Sequence, residues 1–287
     1  PRTDELTAGF GQSEPAAAEF YFEPNRRRFY HARLRLAEPL RGIDRLTVHA
    51  GQQVITDDRR TRDTGSAERS LEDNESDLRG LTVQADATLT ASAHVSVGAE
   101  FYTDEITSRR RRVNTETGDL RAVTSRFPDG STIMQAGLFT KLDWQPAERH
   151  QFSVGIRWSD VAIELPDGTD IEPSRLSGDI GWLFDVTDEW QIVANFGSGF
   201  RAPNIADLGT LGERPGNRFN VPNASLEPET VTHLDLGLRY RSDSWRVDLV
   251  GYSLSYDDRI VSVSTGSTTP SGRDIVRSAN AASSTLH

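Results

Sequence analysis

Histidine, carboxylate and guanidinium groups are the side chains here that could do chemistry: the chain has no cysteine, which excludes thiolate metal ligation, thiol nucleophiles and disulfides. The six histidines are scattered, with no His-x-x-x-His or comparable ligand spacing. His49, His94 and His233 alternate with apolar neighbours, so they fall on the polar face of extended segments, where solvated or packing roles are expected. Asp57, Asp58, Glu72, Asp73 and Glu75 supply the oxygens that hard cations take, but they lack calcium-loop spacing and read as solvated charge. Arg109 to Arg112 form a dense basic run without interleaved aromatics. With a net charge of -11, from 43 acidic and 32 basic residues, nucleic acid is not an expected partner. No nucleophile elbow, metal triplet or phosphate-binding loop can be assembled, so the chain reads as a non-enzyme with no cofactor and no metal site. Arg201 and Glu229 stand apart from this scatter. They flank a connection punctuated by Pro203, Pro222 and Pro228, which have no amide hydrogen to donate and so stop a ladder and set loop geometry. A pair between them would order that connection.

The elements around these residues announce themselves by strict alternation of apolar and polar residues, the period of a strand with two unlike faces. Leu81, Val83, Ala85, Ala87 and Leu89 point one way, with Thr82, Gln84, Asp86 and Thr88 opposite them. After Thr90-Ala91-Ser92 the pattern resumes as Val95, Val97, Ala99 and Phe101 against His94, Ser96, Glu100 and Tyr102, which makes a hairpin. The same reading covers Leu46 to Ala50, Met134 to Trp144, Phe152 to Trp158, Ile180 to Phe184, Trp190 to Phe196 and Leu234 to Tyr240. About ten strands result, many of roughly 11–14 residues, longer than soluble sheets favour and suited to a tilted bilayer crossing. No apolar run approaches the roughly 18 residues of a spanning helix.

Connection lengths and aromatics point the same way. Short turns near 90–92, 146–149, 187–189 and 242–244 alternate with long polar stretches near 57–75, 107–131, 164–174, 200–229 and 258–274, an asymmetry found between the two ends of outer-membrane barrels. Trp144, Trp190, Tyr240 and Trp245 lie close to the short turns, where an aromatic belt meets lipid headgroups. A soluble propeller would show blade repeats, and the hairpin rhythm is the only repetition present. The fold class expected is therefore all-β, an antiparallel up-and-down transmembrane β-barrel. It should be incomplete, because residues 1–28, before a strand at about 29–37, and a strand beginning near Ile275 both fall at the long-loop end, whereas a complete barrel of this class keeps its termini at the other.

One stretch departs from generic barrel texture. Gly199-Phe200-Arg201-Ala202-Pro203-Asn204 is followed by a Gly/Pro/Asn-rich connection, then Asn223-Ala224-Ser225-Leu226-Glu227-Pro228-Glu229, then the strand Leu234 to Tyr240. In order and spacing this resembles the C-terminal barrel region of TonB-dependent receptors, closely over about 40 residues and in rhythm over the remainder. The resemblance implies residues 1–287 as part of the barrel, without the N-terminal plug. It also implies an outer-membrane location, energy from TonB through the missing N-terminal part, and a scarce nutrient as cargo, a ferric siderophore by family default. Phe200, Arg201, Pro203, Asn204, Asn223, Leu226, Pro228 and Glu229 are the motif residues, expected to form a structural clasp at the rim ahead of touching cargo. Haem-importing relatives place a histidine between the two motif halves; Arg201 to Leu226 contains none, which counts against haem. A passive porin would share the rhythm but lack the motif pair.

Overall fold

A computed structural model describes residues 15, 17–209, 212–214, 217–281 and 283–286. In chain order the elements are β1 (Ala17–Leu40), β2 (Ile43–Asp63), β3 (Glu68–Thr90), β4 (Ala93–Asn114), β5 (Leu120–Val123), β6 (Ser131–Ala147), β7 (His150–Glu164), β8 (Asp170–Ile171), β9 (Ser174–Asp185) and β10 (Trp190–Arg201). A single-turn helix, α1 (Ile205–Gly209), precedes β11 (Gly212–Arg214), β12 (Arg218–Asn220), β13 (Glu229–Arg241), β14 (Arg246–Asp257), β15 (Ile260–Thr268), β16 (Asp274–Asn280) and β17 (Ser284–Leu286). Eleven strands form one antiparallel path, β1-β2-β3-β4-β6-β7-β9-β10-β13-β14-β17, and β5 and β8 complete a 13-stranded sheet. Its edge strands β1 and β17 do not pair with each other among the described residues, so the chain is an incomplete up-and-down barrel wall. A second sheet, β11-β12-β16-β15, contains a parallel pairing of β12 with β16.

Register turns the alternation into two faces. Leu34, Val48, Val83, Ala99, Leu138, Trp158 and Leu176 are successive partners across seven strands. One position along, the row reads Arg33, His49, Thr82, Glu100, Gly137, Ser159 and Arg175. The apolar row is not buried: Leu34 is 53% exposed, Leu138 56% and Leu176 70%. A continuous apolar face left open to its surroundings is what a bilayer-facing wall requires and what a soluble sheet avoids. The aromatics cluster on this face beside the short turns. Trp190 and Tyr240 rings are 4.8 Å apart, Trp144 and Phe152 5.8 Å, and His150, Trp182 and Phe184 stack on one another.

The polar face is close-packed by a different device. Gly80 lies under its register partner Tyr102, Gly98 under Phe139, Gly155 under Asp179 and Gly197 under His233, and Gly137 lies under Arg157 two residues along from its own partner Ser159, so side chains lie flat along the wall. At Gly98 an added Cβ would overlap the Phe139 ring and approach the Val83 carbonyl oxygen to 2.8 Å. Gly98→Ala should therefore cost about 1–3 kcal/mol, the range for overpacking a filled site. Gly251→Ala, which meets nothing within 4 Å, should stay within about 0.5 kcal/mol. Thermal loss of heat-modifiable migration in detergent measures both.

At the end away from the short turns the architecture differs from expectation. The 57–75 stretch is no loop: β2 runs to Asp63 and β3 starts at Glu68, so only residues 64–67 turn. Similarly β4 continues to Asn114, β5 occupies part of 107–131, and β1 starts at Ala17 rather than near residue 29. The expected position of residues 1–14 lies outside the described residues. The reason is visible in the register. Beyond the apolar band the strands carry charge on both faces, and ion pairs between strands replace apolar alternation: Arg59 with Glu72 at 2.7 Å, Arg60 with Asp73 at 2.8 Å, Arg111 with Asp73 at 2.7 Å, and Arg62 and Arg69 with Glu19 at 2.7 Å each. At about 3.3 Å per residue the 24 residues of β1 span roughly 80 Å, far more than a bilayer core of about 30 Å. The strand expected from Ile275 is also two elements: β16 belongs to the small sheet, and β17 is the segment that joins β14.

Candidate functional site

The long connection between β10 and β13 begins where Arg201 ends its strand directly opposite Glu229. Arg201 Nε donates to Glu229 Oε2 at 2.6 Å and its Nη1 donates to Asp207 Oδ2 at 2.6 Å, so one guanidinium ties both strand ends to the intervening loop. The other Glu229 oxygen accepts from the Ile260 amide at 2.6 Å, which draws the start of β15 into the same knot. Both residues lie past the apolar band, whose last members on these strands are Phe196 and Leu234. The Arg201 hydrogen bond, opposed by burial and aided by the Ile260 amide, holds the Glu229 carboxyl below its ordinary range. Glu229 and Asp207 together raise Arg201, against the effect of burial.

Local sequence explains the loop. After Pro203, Asn204 caps α1: its Oδ1 accepts from the Asp207 amide at 2.9 Å, while Asp207 Oδ2 accepts from the Asn204 amide at 3.1 Å. This reciprocal pair is a capping box built from Asn and Asp. The cap turns Ile205 and Leu208 onto the wall, where they join Val161, Ile163, Leu165 and Leu226 in a buried cluster. Ile163, Leu208 and Pro203 are among the most fully buried side chains of the chain. Val161 and Ile163 come from the otherwise polar face of β7, so the cluster is a small apolar core on that face at the rim. In the second motif half Asn223 donates to the Ser278 carbonyl at 2.8 Å, and Pro228 is buried.

All eight motif residues thus gather at one rim, seven in the knot or its supports. Phe200 is the exception: it pairs in register with Thr230 on the apolar side of the wall. Sequence reading missed Asp207, the Ile205–Leu208 pair and Asn280. The Asn-x-x-Asp spacing of a capping box was the available signal for the first. Nothing local marks Asn280, which exchanges hydrogen bonds of 2.9 and 2.8 Å with the Glu227 backbone across 53 residues. Between knot and wall lies a cavity of about 310 Å³, lined on its polar side by Gln135, Arg157, Ser159, Arg201 and Asn204. Arg157 is itself held there by Glu100 and by Ser159 Oγ at 2.8 Å. Among the described residues no three histidine or carboxylate groups converge as a metal site.

Glu229→Ala should free the connection at both ends. The pair is part-exposed, so the change should appear as faster cleavage of 202–228 in limited proteolysis rather than as global unfolding. Acid should mimic it. Because folding lowers the Glu229 carboxyl, its contribution is complete above the ordinary carboxylate range and is lost as pH falls through the lower, folded value. Protection of the loop should therefore persist at neutral pH and fail only in strong acid.

Comparison with known proteins matches residues 4–286 to the family described as TonB dependent receptor-like, beta-barrel. The copper transporter OprC superposes with a TM-score of 0.76 at 16% identity, over 92% of this chain and 43% of that one. The FrpB iron transporter from Neisseria meningitidis gives 0.66 at 14% identity over 90% and 39%, and the ferric yersiniabactin uptake receptor FyuA from Yersinia pestis 0.60 at 14% over 86% and 38%. The chain spans about two fifths of the length of each of these structures, and at these identities the likeness carries the fold alone. Among the described residues no helix is long and apolar enough to cross a membrane, which says nothing of a barrel that crosses with strands. With the family model covering nearly the whole chain, the open apolar face and the knotted rim have their explanation: the chain belongs to the TonB-dependent receptor-like β-barrel family.

Proposed function

We propose that this chain is part of the barrel wall of an outer-membrane receptor that binds a scarce nutrient, a ferric siderophore in the first instance, and imports it with energy supplied through TonB. The observation that carries this reading is the rim knot. A passive pore needs the apolar face and the strand rhythm but has no use for an arginine that locks an eleven-strand wall to its own long connection. A receptor that must present one surface to its cargo does. The plug and the TonB-contacting segment belong, on this reading, to sequence outside residues 1–287, and the chemistry is transport rather than catalysis. The similar structures include an iron transporter, a ferric yersiniabactin uptake receptor and a ferric citrate transporter, which supports an iron chelate as cargo.

The test is uptake of labelled ferric siderophore by cells carrying the full-length protein, with and without TonB. Uptake that requires TonB is the expected result. Outer-membrane fractionation with no such uptake would keep the receptor and remove the siderophore; a protein that needs no detergent would remove both.

A further inference from the structure

On the polar face of the β1–β2 hairpin, two histidines 18 residues apart in sequence meet. His31 Nε2 lies 3.1 Å from His49 Nδ1, and the rings stack with centroids 5.3 Å apart. The pair is assembled by register. Gly51, which has no side chain, is the partner of His31, and it leaves the His31 ring free to lean along the face to His49. Phe29 stacks on the other side of His31 at 6.1 Å and 7°, and the Arg27 guanidinium covers Phe29 at 5.4 Å, so a column of alternate residues on β1 holds the ring in place. Beyond His49 its register partner Thr82 is hydrogen bonded to Tyr102 at 3.1 Å. No carboxylate partner orients either imidazole among the described residues.

We propose that His31 and His49 form a bis-imidazole binding site for a borderline transition-metal ion, with Cu2+ as its strongest ligand. The spacing fits one shared ion: with metal–nitrogen bonds of about 2.0–2.1 Å, two nitrogens in cis stand about 2.9–3.4 Å apart, whereas trans nitrogens would stand about 4 Å apart. Binding would turn the two rings about their Cβ–Cγ bonds, out of the observed stack, so that both lone pairs meet one ion. The hydrogen bond between the rings is then replaced by the metal: the ring that donates it shifts its proton to its other nitrogen, the acceptor ring keeps the proton it has, and no net proton is released. Imidazole selects Cu2+, Ni2+ and Zn2+, with Cu2+ highest in the stability order. Arg33, the register partner of His49, and Arg35 on the same face make the wall positive. That charge disfavours Ca2+ and Mg2+, which are held by oxygen and charge, more than an ion held by bonds to nitrogen. Remaining coordination positions are left to water or to ligands the ion brings with it.

The test uses the purified full-length protein in detergent, titrated with Cu2+ in a weakly coordinating buffer and followed by calorimetry and electron paramagnetic resonance. It involves neither uptake nor TonB, so its outcome is separate from that of the transport reading. The wild type should show one site with two imidazole nitrogens. His31→Gln and His49→Gln should each weaken that site by about tenfold or more, since loss of even an outer-shell partner costs about 10–100-fold, and each should remove one nitrogen from the spectrum. Both positions lie on the polar face, and retained heat-modifiable migration checks that the variants fold. His94→Gln should change nothing. A wild type without a two-imidazole signal, variants that titrate as wild type, or a loss that follows His94 instead would each overturn the site.

Discussion

Replacing Leu138 or Val97 with arginine should abolish stable insertion, at a cost of about 2–4 kcal/mol for a cation near the midplane of a bilayer-facing wall. Leu138 is 56% exposed and Val97 47%; Leu138 lies between its partners Ala99 and Trp158, and Val97 between Val95 and Ala99 on the apolar face of β4. A charge at either point would have to be desolvated with no partner in reach. Gln84→Arg or Ser153→Arg, on the polar face of the neighbouring register, should be tolerated with little change. The fraction of protein that acquires folded-barrel migration in lipid vesicles reads the difference. Equal loss from both sets would mean that the faces have been assigned the wrong way round.

Glu72→Ala should be the most damaging single change in the charged extension, destabilising it by about 3 kcal/mol. Glu72 is 2% exposed and takes two hydrogen bonds from Arg59 Nη2, at 2.7 and 2.8 Å, with Arg110 Nε a further 3.5 Å away. Removing the carboxylate takes from Arg59 the acceptor of both these hydrogen bonds and from Arg110 a carboxylate 3.5 Å away. The figure is set at the low end of the range for one-sided loss of a buried pair because the Arg59 side chain is 22% exposed and can rehydrate in part. Removing both partners, as in Glu72→Leu with Arg59→Leu, should recover much of the loss. Glu68→Ala should cost no more than about 1 kcal/mol, because Arg121, at 60% exposed, loses only a solvent-screened partner. Hydrogen exchange of the β2–β3 amides beyond the apolar band separates these cases, and equal protection in all of them would show that Glu72 does not hold the extension together.

The parts of this fold that were legible in sequence are those where one face meets an apolar medium. There each residue is chosen against its neighbour, so Val95 to Phe101 or Phe152 to Trp158 declares both strand and orientation. The expected short turns also fall where strands end. Where the strands leave the band the rule changes. Arg59 to Arg62 and Glu68 to Glu75 read as solvated loop because neither face needs to be apolar, and their strand character comes from partners on other strands.

The motif around Arg201 and Glu229 shows the same division. Its two halves, and the prospect that their charges would pair, could be read along the chain, because the order of residue types around a proline-stopped connection is a local property. The third member of the knot, Asp207, and the buried contacts of Ile205, Leu208 and Leu226 depended on where the loop lands. His31 and His49 stand 18 residues apart and carry no ligand spacing, yet register brings them to 3.1 Å. Sequence by itself determined the class of fold, the two faces and the motif, since those follow from periodicity and local backbone chemistry. Only the tertiary structure decided which distant charges and rings meet, because pairing register, not chain neighbourhood, sets contacts in a sheet.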